Sequence, residues 1–264
     1  MVSKETIEKY IAKCDLLGHL GVQIKIDKND VVLVKGADNA EFKIPKFITK
    51  IDIGAFYRFS NIENIEIPQG VSEIGMGAFA NSSIQRVVIP DSVIRLGDST
   101  FDSCKNLKEV IIKSNLTYLP NRAFSYCHSI QEIELPNTIK SIEEQAFFRC
   151  DRLIKIRIPN ECKAIESKAF AGCELLKTIE FNSKIERIGE HSFEDCNSLE
   201  TISIENKLKK IGRGAFISCF KLHSLNINIK DKRELPDDIV DNYAGNFYSL
   251  TINGETWINP DYTK

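Results

Sequence analysis

The apolar residues of this chain return on a long period rather than on the short ones of a single helix or hairpin. Phenylalanine, usually preceded by alanine, occurs at Phe56, Phe79, Phe101, Phe124, Phe147, Phe170, Phe193 and Phe216, at intervals of 23 residues with a single 22. Three residues after each of the last six stands a cysteine: Cys104, Cys127, Cys150, Cys173, Cys196 and Cys219. Three further on comes Leu or Ile, followed by apolar residues at +3 and +5, as in Leu153, Ile156 and Ile158 or Leu199, Ile202 and Ile204. The last three positions of this pattern alternate inward, outward, inward, which predicts a half-buried strand. Four of these strands run into proline (Pro68, Pro90, Pro136, Pro159), which lacks an N–H and ends the pairing. Two more apolar positions then precede the next Ala-Phe, for example Ile139 and Ile142 or Leu208 and Ile211.

One such unit has an apolar stripe and nothing of its own to bury it against. Successive units must stack and share a continuous core. Eight rungs follow, and strands about 4.8 Å apart give a stack of roughly 35 to 40 Å. The residue before each phenylalanine is small (Ala55, Ala78, Thr100, Ala123, Ala146, Ala169, Ser192, Ala215), as close approach of consecutive turns demands. The phenylalanines then form a buried aromatic spine.

The ends depart from the period, as covers for an open core must. Ile7, Tyr10, Ile11, Cys14 and Leu17 fall at helical spacing between Ser3, a capping residue, and Gly18. Leu20, Val22, Ile24 and Ile26 alternate as a strand, residues 27–30 read as a turn, and residues 31–34 as a returning strand. Residues 1–41 are therefore expected to form an N-terminal cap, 42–227 the repeats, and 228–264 a C-terminal cap. In the last, Phe247, Tyr248, Leu250 and Ile252 lead into the hairpin signal Asn253-Gly254, followed by Trp257 and Ile258.

The string Ala146-Phe147-Phe148-Arg149-Cys150-Asp151-Arg152-Leu153-Ile154-Lys155-Ile156-Arg157-Ile158-Pro159 closely resembles the BspA-like class of leucine-rich repeats. The resemblance covers roughly residues 42–227 and is specific because the motif recurs. It implies a right-handed, curved leucine-rich-repeat-type solenoid, β-rich with short helical or 3-10 turns. It also implies bacterial or parasitic-protist relatives, often at the cell surface and engaged in adhesion to host or neighbouring-cell proteins.

Composition narrows the function classes. A formal net charge of −2 argues against a generally basic surface for nucleic acid, and no apolar run approaches the roughly 18 residues of a membrane span. The start of the chain lacks the apolar stretch of a secretory signal, so a cytoplasmic protein is expected, with a cell-surface location by another route as the alternative. The cysteine column invites a zinc reading, but sulfurs in a line at strand spacing do not converge tetrahedrally at roughly 2.3 Å. Buried, reduced thiols acting as small hydrophobes are expected instead. His19, His128, His191 and His223 occupy different repeat phases, and no phosphate loop, nucleophile elbow or acid–base signature is present. Neither an enzyme nor a metal or cofactor is expected.

Variation is left to the outward strand positions. One column runs Asn64, Arg86, Glu109, Glu132, Lys155, Thr178, Thr201, Ser224, and the next Glu66, Val88, Ile111, Glu134, Arg157, Glu180, Ser203, Asn226. Val88 and Ile111 are expected side by side, rimmed by charges of both signs, in the manner of an interaction patch. The candidate partner-binding set is Arg86, Val88, Glu109, Ile111, Glu132, Glu134, Lys155 and Arg157. The expected activity is protein–protein interaction by a monomer, with a surface adhesin for protein or glycan as the alternative.

Overall fold

The computed structural model describes residues 3–16, 21–239 and 249–258. Leu17, Gly18, His19, Leu20, Phe247 and Tyr248, which the sequence places in or beside the caps, lie outside the described residues. The N-terminal helix spans Lys4–Leu16, and its Ser3 hydroxyl accepts the Thr6 amide at 3.2 Å, as a cap should. Its buried side is Ile7 and Cys14, while Tyr10 meets Phe47 edge to face with centroids 5.5 Å apart. An antiparallel hairpin of Gln23–Asp27 and Asp30–Lys35 follows, and its second strand pairs in parallel with Lys50–Ile51 of the first repeat. Ile26 departs from the expected alternation: it is 45% exposed.

Beyond this cap the chain is a β-solenoid of eight rungs, numbered here by their phenylalanines from Phe56 to Phe216. Three columns of hydrogen bonds hold the rungs together. The first is the expected strand: Asn64–Glu66, Arg86–Ile89 and Glu109–Ile112 pair in parallel across rungs 1 to 3. Lys155–Arg157 pairs with Thr178–Glu180 in rungs 5 and 6, and Thr201–Leu208 with Ser224–Ile229 in rungs 7 and 8. The second column consists of two-residue strands, each ending on the second apolar position before an Ala-Phe. It runs Lys50–Ile51, Glu73–Ile74, Arg95–Leu96, then resumes as Tyr118–Leu119, Ser141–Ile142, Ala164–Ile165, Arg187–Ile188, Lys210–Ile211. The sequence shows the second residue of each strand as an apolar position but does not show a second ladder.

The third column is the Ala-Phe turn, and it is unbroken. Each phenylalanine amide donates to the carbonyl of the small residue one rung on, from Phe56 to Ala78 at 2.7 Å through Phe193 to Ala215 at 2.9 Å. The turn bends because the residues before Ala and two after Phe adopt left-handed conformations, such as Gln145 (φ 58°) and Arg149 (φ 55°) around Ala146-Phe147. The rings stack with centroids 4.8 to 5.6 Å apart and planes within 2 to 15°. Contacting carbons sit about 3.5 to 4.0 Å apart, so parallel rings at this spacing are slipped, the arrangement their quadrupoles favour. All eight phenylalanines are 0 or 1% exposed and belong to one core running from Ile7 to Ile239. At the far end Ser249–Ile252 extends the first ladder in parallel and turns back antiparallel as Glu255–Ile258.

Candidate interaction face

The outward side of the first ladder is built by strand alternation: at each rung an inward Ile, Val or Leu is flanked by two outward side chains. Val88 lies directly opposite Ile111, and Arg86 opposite Glu109, as the register requires. Both apolar residues are half-buried rather than fully exposed. Arg86 and Glu109 form an ion pair at 2.9 Å, Lys155 and Glu132 at 3.5 Å, and Arg157 reaches Glu180 at 4.0 Å.

Rung 4 breaks this ladder. Residues 131–135 form no strand, so the edges of Glu109–Ile112 and Lys155–Arg157 that face them are unpaired as strands. Within the first outward column this is where like charges meet, Glu109 against Glu132, and opposed like charges weaken a ladder. A second interruption separates Thr178–Glu180 from Thr201–Leu208, and charge does not explain it. Two clefts open on either side of rung 4. One, of about 260 Å³, is lined by residues 108–112 and Glu132, Ile133 and Glu134. The other, of about 300 Å³, lies between Glu132, Glu134 and Leu135 on one side and Lys155, Ile156 and Arg157 on the other. Glu109, Ile111, Glu132 and Glu134 thus share the first cleft, and Glu132, Glu134, Lys155 and Arg157 the second. Arg86 and Val88 adjoin on the neighbouring strand. The opening has no signal in the apolar pattern, which rung 4 shares with its neighbours; its trace in the sequence is the like-charged pair Glu109 and Glu132.

The cysteine column has a role that sequence reading does not supply. Each thiol donates to the carbonyl of the phenylalanine one rung earlier, as Cys127 to Phe101 and Cys150 to Phe124 at 3.2 and 3.1 Å. Burial pushes the Cys104 thiol up to about 12 and the Cys162 thiol to about 11, and holds Cys127, Cys173 and Cys196 well above the usual range. A thiolate nucleophile is therefore strongly disfavoured at neutral pH. All eight cysteines are buried and outside any disulfide, and among the described residues no cluster of His, Cys, Asp or Glu has a geometry for a metal ion. His128 contacts Asp151 at 2.7 Å one rung on, and His191 contacts Glu194 at 3.4 Å, so the two histidines serve separate rungs. No described helix is long and apolar enough to cross a membrane.

Stacked 23-residue turns with an Ala-Phe-x-x-Cys spine and an LxxIxI ladder define a leucine-rich-repeat-type solenoid. The model of the BspA type leucine rich repeat region matches residues 35–153 and 117–242, and the chain belongs to that family. A leucine-rich repeat protein from Eubacterium ventriosum is similar in structure, with a TM-score of 0.50 at 18% identity over 89% of this chain and 54% of that one. One from Bacteroides ovatus has a TM-score of 0.40 at 20% identity over 77% and 79% of the two chains. The pneumococcal vaccine antigen PcpA has a TM-score of 0.46 at 20% identity over 82% and 73%. No curated protein matches the chain.

Proposed function

We propose that the chain is a non-catalytic interaction module that presents the outer face of its first ladder, at rungs 2 to 5, to a protein partner. The supporting observation is the opening at rung 4. Two clefts and two unpaired strand edges interrupt the ladder beside the apolar pair Val88 and Ile111. Unpaired strand edges offer main-chain groups to an extended partner segment, and clefts between rungs accept its side chains. Ile111, Ile112 and Ile133 give the first cleft an aliphatic wall, while Glu134, which forms no ion pair among the described residues, faces a partner's cation.

The partner is captured from native extract with the tagged chain. Combining Val88→Glu and Ile111→Glu is expected to abolish its recovery while the circular dichroism stays that of the wild type. Recovery at the wild-type level rejects this face. The row of buried thiols outside any disulfide suits a reducing compartment, and the proposal carries a cytoplasmic location with it. Cleavage of the chain by protease added to intact native cells would exclude that part.

A further inference from the structure

The second ladder carries a charge pattern of its own, on a side of the solenoid distinct from the proposed site. Its rungs bring Lys140, Lys163, Glu186 and Lys209 into one row, each amide donating to the carbonyl of the residue before it at 2.7 to 2.9 Å. Lys230 continues the row, its amide bonded to Leu208. On one flank lie Glu161, Lys184 and Lys207. On the other, Ser141, Ala164, Arg187 and Lys210 are in register on successive short strands. Eight lysines and arginines thus share three rows with two glutamates, in a chain whose net charge is −2. All eight are exposed.

The pairs already present show what these lysines hold. Lys184 binds Glu161 at 2.5 Å and Lys209 binds Glu186 at 2.5 Å, each across a single rung, and Arg187 is taken up by Glu166 at 3.1 Å. Lys209, Lys163 and Lys230 together hold the Glu186 carboxyl below its usual range. Lys140, Lys163, Lys207, Lys210 and Lys230 remain without a carboxylate at ion-pair distance among the described residues.

We infer that this row is a second docking surface, and that its occupant is an acidic stretch of polypeptide laid along the solenoid axis. Glu186 is the internal pattern for it: a carboxylate over the row is shared by lysines of neighbouring rungs, and a partner's carboxylates occupy the equivalent places beside Lys140, Lys207 and Lys210. The anion these lysines are seen to hold is a carboxylate, Glu161 on Lys184 and Glu186 on Lys209. Tyr118, opposite Ser141, stands at the end of one row, and no aromatic residue lies among the cations to stack on a base.

The test uses the full chain and a fluorescein-labelled oligoglutamate peptide, read by fluorescence polarisation. Binding is expected at an ionic strength of about 0.1 M and its loss at about 1 M, where the screening length falls from about 10 Å to about 3 Å. The combined variant Lys140→Ser, Lys163→Ser, Lys207→Ser, Lys210→Ser is expected to bind about tenfold more weakly or worse, with unchanged circular dichroism and melting. The Val88→Glu and Ile111→Glu variant is expected to bind the peptide as the wild type does, which separates this surface from the first. Absence of salt-sensitive binding, or an unchanged affinity in the serine variant, overturns the inference. So does tighter binding of a sulfated oligosaccharide or a DNA oligonucleotide of equal charge, or self-association that the serine substitutions remove, since each assigns the row to another occupant.

Discussion

Each inner phenylalanine of the spine is flat against the one above and the one below, so truncating one removes packing from three rungs at once. Phe147→Ala should therefore lower stability by about 3 to 5 kcal/mol, measured by denaturant unfolding, and a loss near zero would contradict the spine. Ser192 tests the same column from the other side. It stands where most rungs have alanine, is fully buried, and its hydroxyl has no hydrogen-bond partner. Ser192→Ala should raise stability by about 1 kcal/mol, because an unmatched buried hydroxyl is removed and the turn spacing kept. The spine and the thiol column are legible in the sequence because one residue type serves one place in every rung. The left-handed positions beside them are not. Ser99, Arg122, Gln145, Lys168 and His191 all adopt φ between 53° and 58° at one repeat phase, and nothing in their chemistry announces it. Cross-rung bonds on either side impose the conformation, at an expense usually reserved for glycine.

Strand length decides what periodicity can reveal among the elements. The first ladder is visible because its alternation extends over enough residues to be recognised. A two-residue strand such as Arg187–Ile188 is too short to alternate, and only its partners in the rungs before and after make it a strand. The turn that leaves it is equally tight. A Cβ on Gly189 would lie 2.5 Å from the backbone of Glu166 and Ser167 in the preceding rung. Gly189→Ala is expected to lower stability by about 1 to 3 kcal/mol and the melting temperature with it, since backbone on both sides must separate to admit the methyl group. The opening at rung 4 belongs to this scale too. Residues 131–135 have the inward pattern of a strand, yet Ile133 is buried without strand pairing on either side. Burial of the apolar positions and lacing of the backbone are separate events, and only the first is written in the pattern.

The molecule as a whole is a one-dimensional stack in which each rung meets equivalent neighbours. Excising residues 147–169 joins Ala146 to Phe170 in phase, and the shortened chain should fold with the same circular dichroism shape and a cooperative melt at a lower temperature. An unfolded product would show that the rungs are not interchangeable. The stack also explains how two surfaces of unlike character coexist. Outward positions of the first ladder place mixed charge around an apolar pair, while those of the second gather lysines into rows, and neither disturbs the shared core. The 23-residue period already dictated a solenoid with a phenylalanine spine, because an apolar stripe with no internal partner has to be covered by its own repetition. Where the ladders stay laced, where they part around rung 4, and which lysines line up across four rungs are properties of register and splay. Those depend on contacts between residues more than twenty positions apart, and they exist only once the rungs are stacked.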